Sequence, residues 1–163
     1  MGTLIAFRMT PENQTGLRHA LFAGFTVAQG MSLCPLIMLG GPLLAQAAAA
    51  TAALVGSLTL VASSAPSDAF LQLAGPLSLG LGLVFAASIG SLFFPGSSLL
   101  YSVCMYGGLA VFGGFTLYDT QRIVLLAQSQ HRYDSLGNSV SIYLNFLNIF
   151  IRIASLMSDR KRK

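Results

Sequence analysis

A single acidic residue follows a long uncharged part of the chain. Residues 69–118 contain no charged side chain, and Asp119 then appears within the sequence LYDTQ, residues 117–121. Ionisable groups at membrane depth are energetically costly, so they usually serve a function. The context of Asp119 predicts either a marker at the membrane surface or a residue that lines a protected pathway for ions.

A set of polar residues near the C-terminus recurs at alternating spacings of four and three. Its members are Ser141, Asn145, Asn148, Arg152, Ser155 and Asp159. This spacing places them along one face of an α-helix whose other faces are apolar. Such a face is expected to line a bundle interior, a water-filled cavity or the membrane interface. The alternative is that Asn145 and Asn148 only bond to neighbouring helices, while Arg152 extends to the surface.

The composition indicates what kind of element must position these residues. The chain is 54% hydrophobic and 9% charged, whereas an ordinary soluble domain is roughly 25% charged. Alternating segments of the kind found in β-barrels are not sustained. We therefore predict an all-α, polytopic transmembrane helix bundle with about five membrane segments. They are placed at 20–39, 43–63, 70–94, 99–118 and 139–157, and the fourth can continue towards Gln128.

Polar sequences flank this bundle on both sides. Residues 1–19 are predicted to be a polar N-terminal segment, and residues 158–163 a basic tail. Five full crossings would place the tail and the other arginines on opposite sides of the membrane. A last segment that enters and returns would place all positive clusters on one side, as the positive-inside rule prefers. The length of the last segment favours a full crossing.

Small residues recur every four positions in the first three segments. The three sets are Ala20, Gly24, Ala28 and Ser32; Ala45, Ala49, Ala53 and Ser57; and Ala74, Ser78, Gly82, Ala86 and Gly90. Such stripes let neighbouring helix backbones approach closely in a bilayer. The sequence therefore predicts tight helix packing along these stripes.

The basic tail ends the chain with four cations, Arg160, Lys161, Arg162 and Lys163. A cluster of this kind beside a membrane helix attracts anionic lipid headgroups. A solvated tail that fixes the topology is the alternative. Nucleic acid is not an expected partner, because the cations lack interleaved aromatic residues.

Enzymatic chemistry is not predicted. The sequence shows no His, Cys, Asp or Glu cluster with metal-ligand spacing, no phosphate-binding loop and no pairing of a nucleophile with a base. Cys34 and Cys104 lie in apolar segments and are expected to be packing residues. Neither a cofactor nor a bound metal is expected.

Several motifs resemble those of the Bax inhibitor family. They are IMLGGPLL at 37–44, GLGLVF at 80–85, LYSVCMYGGL at 100–109, LYDTQ at 117–121, and IYLNFLNIFIR at 142–152. The LYDTQ element and the last element are specific in combination. The resemblance covers the chain from about Leu17 to its end and is strongest to the mitochondrial branch of the family.

The resemblance implies a fold and a function. Family members are bundles of seven helices in which six surround the last. They are implicated in calcium leak or calcium/proton exchange and in restraint of cell death. The mitochondrial branch is linked to the inner membrane and to cristae, and the endoplasmic reticulum membrane is the alternative location. Ca²⁺ and H⁺ are thus the implied transported ions, and membrane-protein partners are a further expectation.

The family's gate consists of two aspartates that share a proton, and this chain matches only one of them. The first maps onto Asp119, whereas position 145 holds an asparagine. An amide can hydrogen-bond to a carboxylate but cannot exchange a proton with it. We therefore expect weak or absent selective calcium binding and place the ion pathway at Asp119, Asn145, Asn148 and Arg152.

The chain is expected to be shorter than the family pattern, beginning just before the family's third helix. Two alternatives to ion conduction follow. One is a non-transporting membrane scaffold or regulator that acts through helix packing and the basic tail. The other is an inactive truncated isoform.

Overall fold

The computed structural model of the protein describes residues 15–66, 68–128 and 135–162. In these ranges the chain forms helices and no strand. The α-helices are α1 (Thr15–Ser32), α2 (Gly41–Ser64), α3 (Ala74–Phe93), α4 (Ser98–Ser102), α5 (Gly108–Gln128) and α6 (Ser135–Arg162). Short 3-10 helices at Cys34–Leu39 and Leu71–Leu73 precede α2 and α3, and a π-helical turn at Val103–Gly107 joins α4 to α5. Most of the predicted N-terminal polar segment lies outside the described residues.

Five stretches of the described chain are long and apolar enough to cross a membrane. They are His19–Met38, Gly41–Ser64, Leu71–Phe93, Ser98–Gln128 and Gly137–Lys161. This confirms the predicted fold class. The fourth stretch combines α4, the π turn and α5, and it continues past Asp119 to Gln128. Asp119 therefore lies inside a span, about 13 Å along the helix from its end.

The chain forms two compact units, Met1–Leu44 and Ala45–Lys163. The first contains α1 and the 3-10 helix that follows it. The second contains most of α2 and all of α3 to α6, so every residue of the predicted ion pathway belongs to it.

Helix α6 is buried on two opposite faces. Val140, Leu147 and Ala154 are seven residues apart and share one face, whereas Asn145 and Ile149 lie on the other. The helix is unbroken over 28 residues, a length of about 42 Å. A segment that enters the membrane and returns needs a turn, so the unbroken helix favours a full crossing.

Helix α5 packs closely against α3 and also touches α2. A Cβ atom on Gly80 would lie 2.8 Å from Val111 Cγ2, and one on Gly113 would lie 3.5 Å from a methyl group of Leu58. The 2.8 Å distance means that glycine at position 80 lets α3 and α5 approach, whereas 3.5 Å at position 113 is an ordinary van der Waals contact. The close approach fixes α5, which carries Asp119.

The expectation of packing along the small-residue stripes is wrong for α2. Ala45, Ala49, Ala53 and Ser57 are all exposed, while the buried face of α2 carries Ala47, Thr51, Val55 and Ala62. On α3, Ser78, Gly82 and Ala86 are exposed, whereas Ala74 and Gly90 are half-buried and Gly90 lies within van der Waals distance of Leu100. Ala20, Gly24 and Ala28 of α1 are exposed as well. A helix rich in alanine and glycine offers small residues on several faces, so their spacing does not identify the face that packs.

A tight turn connects α3 to α4. Gly96 has φ of +105°, a conformation that glycine adopts without the steric cost of a Cβ atom. The side chain of Ser97 then caps α4 by accepting a hydrogen bond from the Leu100 backbone N–H. This turn places the start of α4 beside the end of α3.

Candidate functional site

The two residues that the family resemblance pairs do meet where α5 packs against α6. Asn145 Nδ2 donates a hydrogen bond to Asp119 Oδ2 over 2.7 Å. Asn145 is buried and Asp119 is half-buried. A hydrogen bond to an ionised acceptor is stronger than one between neutral groups, so the amide fixes the position of the carboxylate.

Arg152 forms a second polar level between the same helices. Its Nε donates to the Cys104 backbone oxygen over 3.1 Å. Its Nη1 donates to the backbone oxygen of Asn148 over 3.0 Å and to Asn148 Oδ1 over 3.1 Å. The guanidinium carbon lies 4.7 Å from the centre of the Phe112 ring, within cation–π range. Arg152 thus turns inward and does not extend to the surface.

The start of α5 leaves space for the Arg152 guanidinium because residue 108 is a glycine. A Cβ atom on Gly108 would lie 2.6 Å from Arg152 Cζ, so any side chain there would displace the guanidinium. The Cys104 carbonyl belongs to the π turn Val103–Gly107. Isolated π turns in α-helices occur frequently at functional sites.

We call Asp119, Asn145, Asn148 and Arg152 the seam. Helices α5 and α6 run antiparallel here, because Asp119 meets Asn145 whereas the earlier Cys104 meets the later Arg152. Asn145 and Arg152 are seven residues apart, or about 10 Å along the helix. Asn148 also donates from Nδ2 to the Leu144 oxygen over 2.9 Å. The seam therefore has a negative level and a positive level within one interface.

Two threonines of α5 border the seam. Thr116 is 1% exposed and donates to the Phe112 oxygen over 2.9 Å. Thr120 follows Asp119 directly and is 5% exposed, and its hydroxyl has no hydrogen-bond partner in the described part of the chain. Buried hydroxyl groups therefore lie within three residues of Asp119 on the same helix.

The donor set suits a loosely held cation better than a tight calcium site. Calcium takes six to eight oxygen ligands in proteins, usually with several carboxylates. The described residues contain no group of three His, Cys, Asp or Glu side chains that could hold a metal ion. Asp119 is the only carboxylate of the seam. The Asp119 carboxylate can attract a passing cation, but the described residues around it do not form a closed coordination shell.

Gln121 is a structural residue that the sequence pattern did not single out. It is 2% exposed. Its Oε1 accepts from the Phe70 backbone N–H over 2.6 Å, and its Nε2 donates to the Pro66 oxygen. It ties α5 to the connection between α2 and α3, two residues from Asp119. The sequence could have indicated this role only through the position of Gln121 in the LYDTQ motif, two residues after Asp119.

The remaining polar residues of α6 have different surroundings. Ser155 donates to the Ile151 oxygen of its own helix, and Ser141 is half-buried. Asp159 accepts a hydrogen bond from the Tyr101 hydroxyl, which the sequence did not suggest. Arg160 and Lys161 are exposed. The side chain of Arg162 and the whole of Lys163 lie outside the described residues.

Comparisons with known proteins address the resemblance directly. The sequence profile of the family described as "Inhibitor of apoptosis-promoting Bax1" matches residues 1–162. The chain is 44% identical to growth hormone-inducible transmembrane protein of Rattus norvegicus, over 93% of this chain and 47% of the rat protein. It is 32% identical to probable Bax inhibitor 1 of Paralichthys olivaceus, over 100% of this chain and 71% of the fish protein.

A third relative is Bax inhibitor 1 of Bos taurus, which is 31% identical over 100% of this chain and 72% of the bovine protein. The chain thus spans about half the length of the rat relative and about seven-tenths of the other two. No solved structure matches.

Proposed function

The chain belongs to the Bax inhibitor family, and we propose that its seam forms the closed part of a cation leak pathway through a membrane. The protein is a multi-pass membrane protein, with five helical stretches in the described chain that can span a bilayer. We further propose that calcium is among the ions that pass and that the leak restrains cell death. These roles rest on the resemblance and on the geometry of the seam.

The observation that carries the proposal is the hydrogen bond from Asn145 to Asp119 across two helices. A carboxylate inside an apolar span is the place where a cation crossing that span would be stabilised. The amide opposite it holds the carboxylate in position but does not ionise, so it cannot take up or release a proton. A leak is therefore a better proposal for this chain than proton-coupled exchange.

Arg152 supplies the opposing charge. Its guanidinium is half-buried and held by three hydrogen bonds, about 10 Å along α6 from Asn145. Like charges repel more strongly in a protein interior than in water. A cation that approaches the Asp119 level from the Arg152 side meets this repulsion, so the native leak should be slow.

Calcium flux into vesicles that contain the purified protein tests the proposal. Asp119→Asn removes the negative charge and keeps the shape of the side chain, so flux should fall roughly tenfold, the effect of about 1.4 kcal/mol of lost attraction. Asp68→Asn is the matched control, because Asp68 is an exposed carboxylate in the connection between α2 and α3. Equal flux for the native protein and Asp119→Asn would show that the site is wrongly assigned.

A second candidate function is that of a non-transporting scaffold or regulator. The paired state of the seam favours it, since Asn145 bonds to Asp119 across the two helices and Arg152 bonds to the Cys104 carbonyl. On this account, native flux equals that of protein-free vesicles. Removing residues 160–163 would then change association with partners or lipids and leave the flux unaltered.

For location, we propose the mitochondrial inner membrane, with the endoplasmic reticulum membrane as the alternative. Fractionation of cells that express the tagged chain separates the two. The sequence also holds an N-glycosylation sequon at Asn13. A glycan on Asn13 would contradict the mitochondrial location, because N-glycans are added in the endoplasmic reticulum.

A further inference from the structure

A cavity of about 750 Å³ lies between α4 with its π turn and the last turns of α6. Its lining includes three apolar side chains of α6, Ile153, Leu156 and Met157. Tyr101 of α4 and Tyr106 of the π turn also line it, and both are exposed. A volume of this size is in the range of small-molecule sites, and none of the seam residues lines it.

The π turn is what brings the two tyrosines to the same cavity. They are five residues apart, which in an α-helix would direct them to different faces. A π turn forms hydrogen bonds between residues five apart, so Val103–Gly107 rotates Tyr106 towards the side of Tyr101. The same turn therefore supplies the Cys104 carbonyl that binds Arg152 and the Tyr106 side chain that lines the cavity.

The cavity lies at an end of two membrane spans. One span begins at Ser98, three residues before Tyr101, and the other ends at Lys161, two residues after Asp159. Tyrosines are enriched at this depth, where the ring is apolar and the hydroxyl is polar. Along α6, Ile153 lies about 10 Å further into the span than Arg160, so the apolar lining is at the level of acyl chains and Arg160 is nearer the headgroups.

The charges at the rim favour an anionic headgroup. Asp159 is held by the Tyr101 hydroxyl, whereas Arg160 lines the cavity and is exposed. A guanidinium can bind a phosphate through two parallel hydrogen bonds. The sequence adds three further cations directly after Arg160. Basic pockets between transmembrane helices are suited to anionic lipid headgroups.

We propose that this cavity binds one anionic phospholipid. The phosphate contacts Arg160, and the upper part of the acyl chains lies on Leu156 and its neighbours between the two tyrosines. This goes beyond the proposed leak, because the site shares no side chain with the seam.

The chain contains no tryptophan, which permits a selective fluorescence test. Tyr106→Trp places a single reporter in the cavity wall. Phe93→Trp is its matched control, since Phe93 is 74% exposed near the same membrane surface and does not line the cavity. Each protein is placed in vesicles of phosphatidylcholine and phosphatidylglycerol, with bromine on the acyl chains of one lipid at a time to quench the fluorescence.

Brominated phosphatidylglycerol should quench the Tyr106→Trp reporter with about tenfold higher relative affinity than brominated phosphatidylcholine, because in phosphatidylcholine the choline ammonium offsets the phosphate charge that attracts Arg160. The Phe93→Trp reporter should show little preference. Adding Arg160→Gln to the cavity reporter should abolish the preference. Lys161→Gln removes the same charge one residue away and should reduce it at most about twofold.

Three results would overturn the proposal. They are equal lipid preference at the two reporter positions, equal effects of Arg160→Gln and Lys161→Gln, and a cavity reporter that neither lipid quenches. The last would indicate that protein closes the cavity. Asp119→Asn added to the cavity reporter should leave the lipid preference intact, so this test and the flux test fail independently.

Discussion

Replacing the seam amide by an acid should make the leak sensitive to pH. In Asn145→Asp, a carboxylate oxygen takes the position of the Nδ2 atom that lies 2.7 Å from Asp119 Oδ2. The charge of each carboxylate is spread over two oxygens, so the charge centres would be about 4 Å apart. At an effective dielectric constant of about 20, their repulsion is about 4 kcal/mol. One shared proton removes that repulsion and restores a hydrogen bond between the two side chains.

Whether this shared proton is bound then determines whether the seam stays closed. With the proton bound, the two carboxyl groups of the variant resemble the native contact and flux should be low. When the proton leaves, the repulsion separates α5 from α6 and flux should rise. One proton changes an equilibrium by at most about tenfold per pH unit. We therefore expect the calcium flux of Asn145→Asp to increase about tenfold or more between about pH 6 and pH 8.

Vesicle flux measured at matched internal and external pH gives the comparison. The native protein carries an amide at position 145 and should change by less than about twofold over the same range. Asn148→Asp is the matched control, because Asn148 bonds to its own helix and to Arg152 and has no described contact with Asp119. The same flat pH profile in Asn145→Asp as in the native protein would refute the shared-proton mechanism.

Three further changes test how the seam is held. Gly108→Ala should destabilise the protein by about 2 kcal/mol in mixed-micelle unfolding followed by circular dichroism, because the added Cβ atom displaces Arg152 from its acceptors. Gly107→Ala is the control and should be close to neutral, since a Cβ atom on Gly107 would make only 3.8 Å contacts. Equal loss of stability in the two variants would contradict this explanation. Gln121→Leu should cost about 2 to 4 kcal/mol in the same assay, since the backbone groups of two loop residues lose their partners. No loss would mean that these two hydrogen bonds do not stabilise the fold. Arg152→Met should raise calcium flux several-fold, whereas Arg152→Lys keeps the positive charge and should leave the flux near the native value. Similar flux through both variants would exclude charge repulsion as the cause of the slow native leak.

The polar seam is the part of the site that the sequence predicted best. The alternating spacing in α6 identified a polar face, and the resemblance named positions 119 and 145 as partners. The contact itself depends on the antiparallel packing of α5 against α6, which neither pattern states. The sequence left two positions possible for the Arg152 side chain, because it is long enough to lie inside the bundle or to reach the surface. Packing decides between them, through Gly108 and the Phe112 ring.

Other features had no signal in the spacing of residues. The π turn at Val103–Gly107 depends on a choice between nearly equivalent backbone hydrogen bonds. The buried position of Gln121 depends on where the connection between α2 and α3 meets α5. The small-residue stripes gave a wrong prediction for α2, because alanine on every face leaves the packed face undetermined. The contacts between helices, and not the periodicity of one helix, determined these features.

Exchanging the two side chains of the central pair tests the main claim most directly. The double variant Asp119→Asn with Asn145→Asp keeps one carboxylate and one amide at the contact but moves the charge from α5 to α6. If the pair acts as a unit, calcium flux through the double variant should return to within about twofold of the native value at about pH 7, while each single variant departs from it. Flux in the double variant that stays as low as in Asp119→Asn alone would contradict the account.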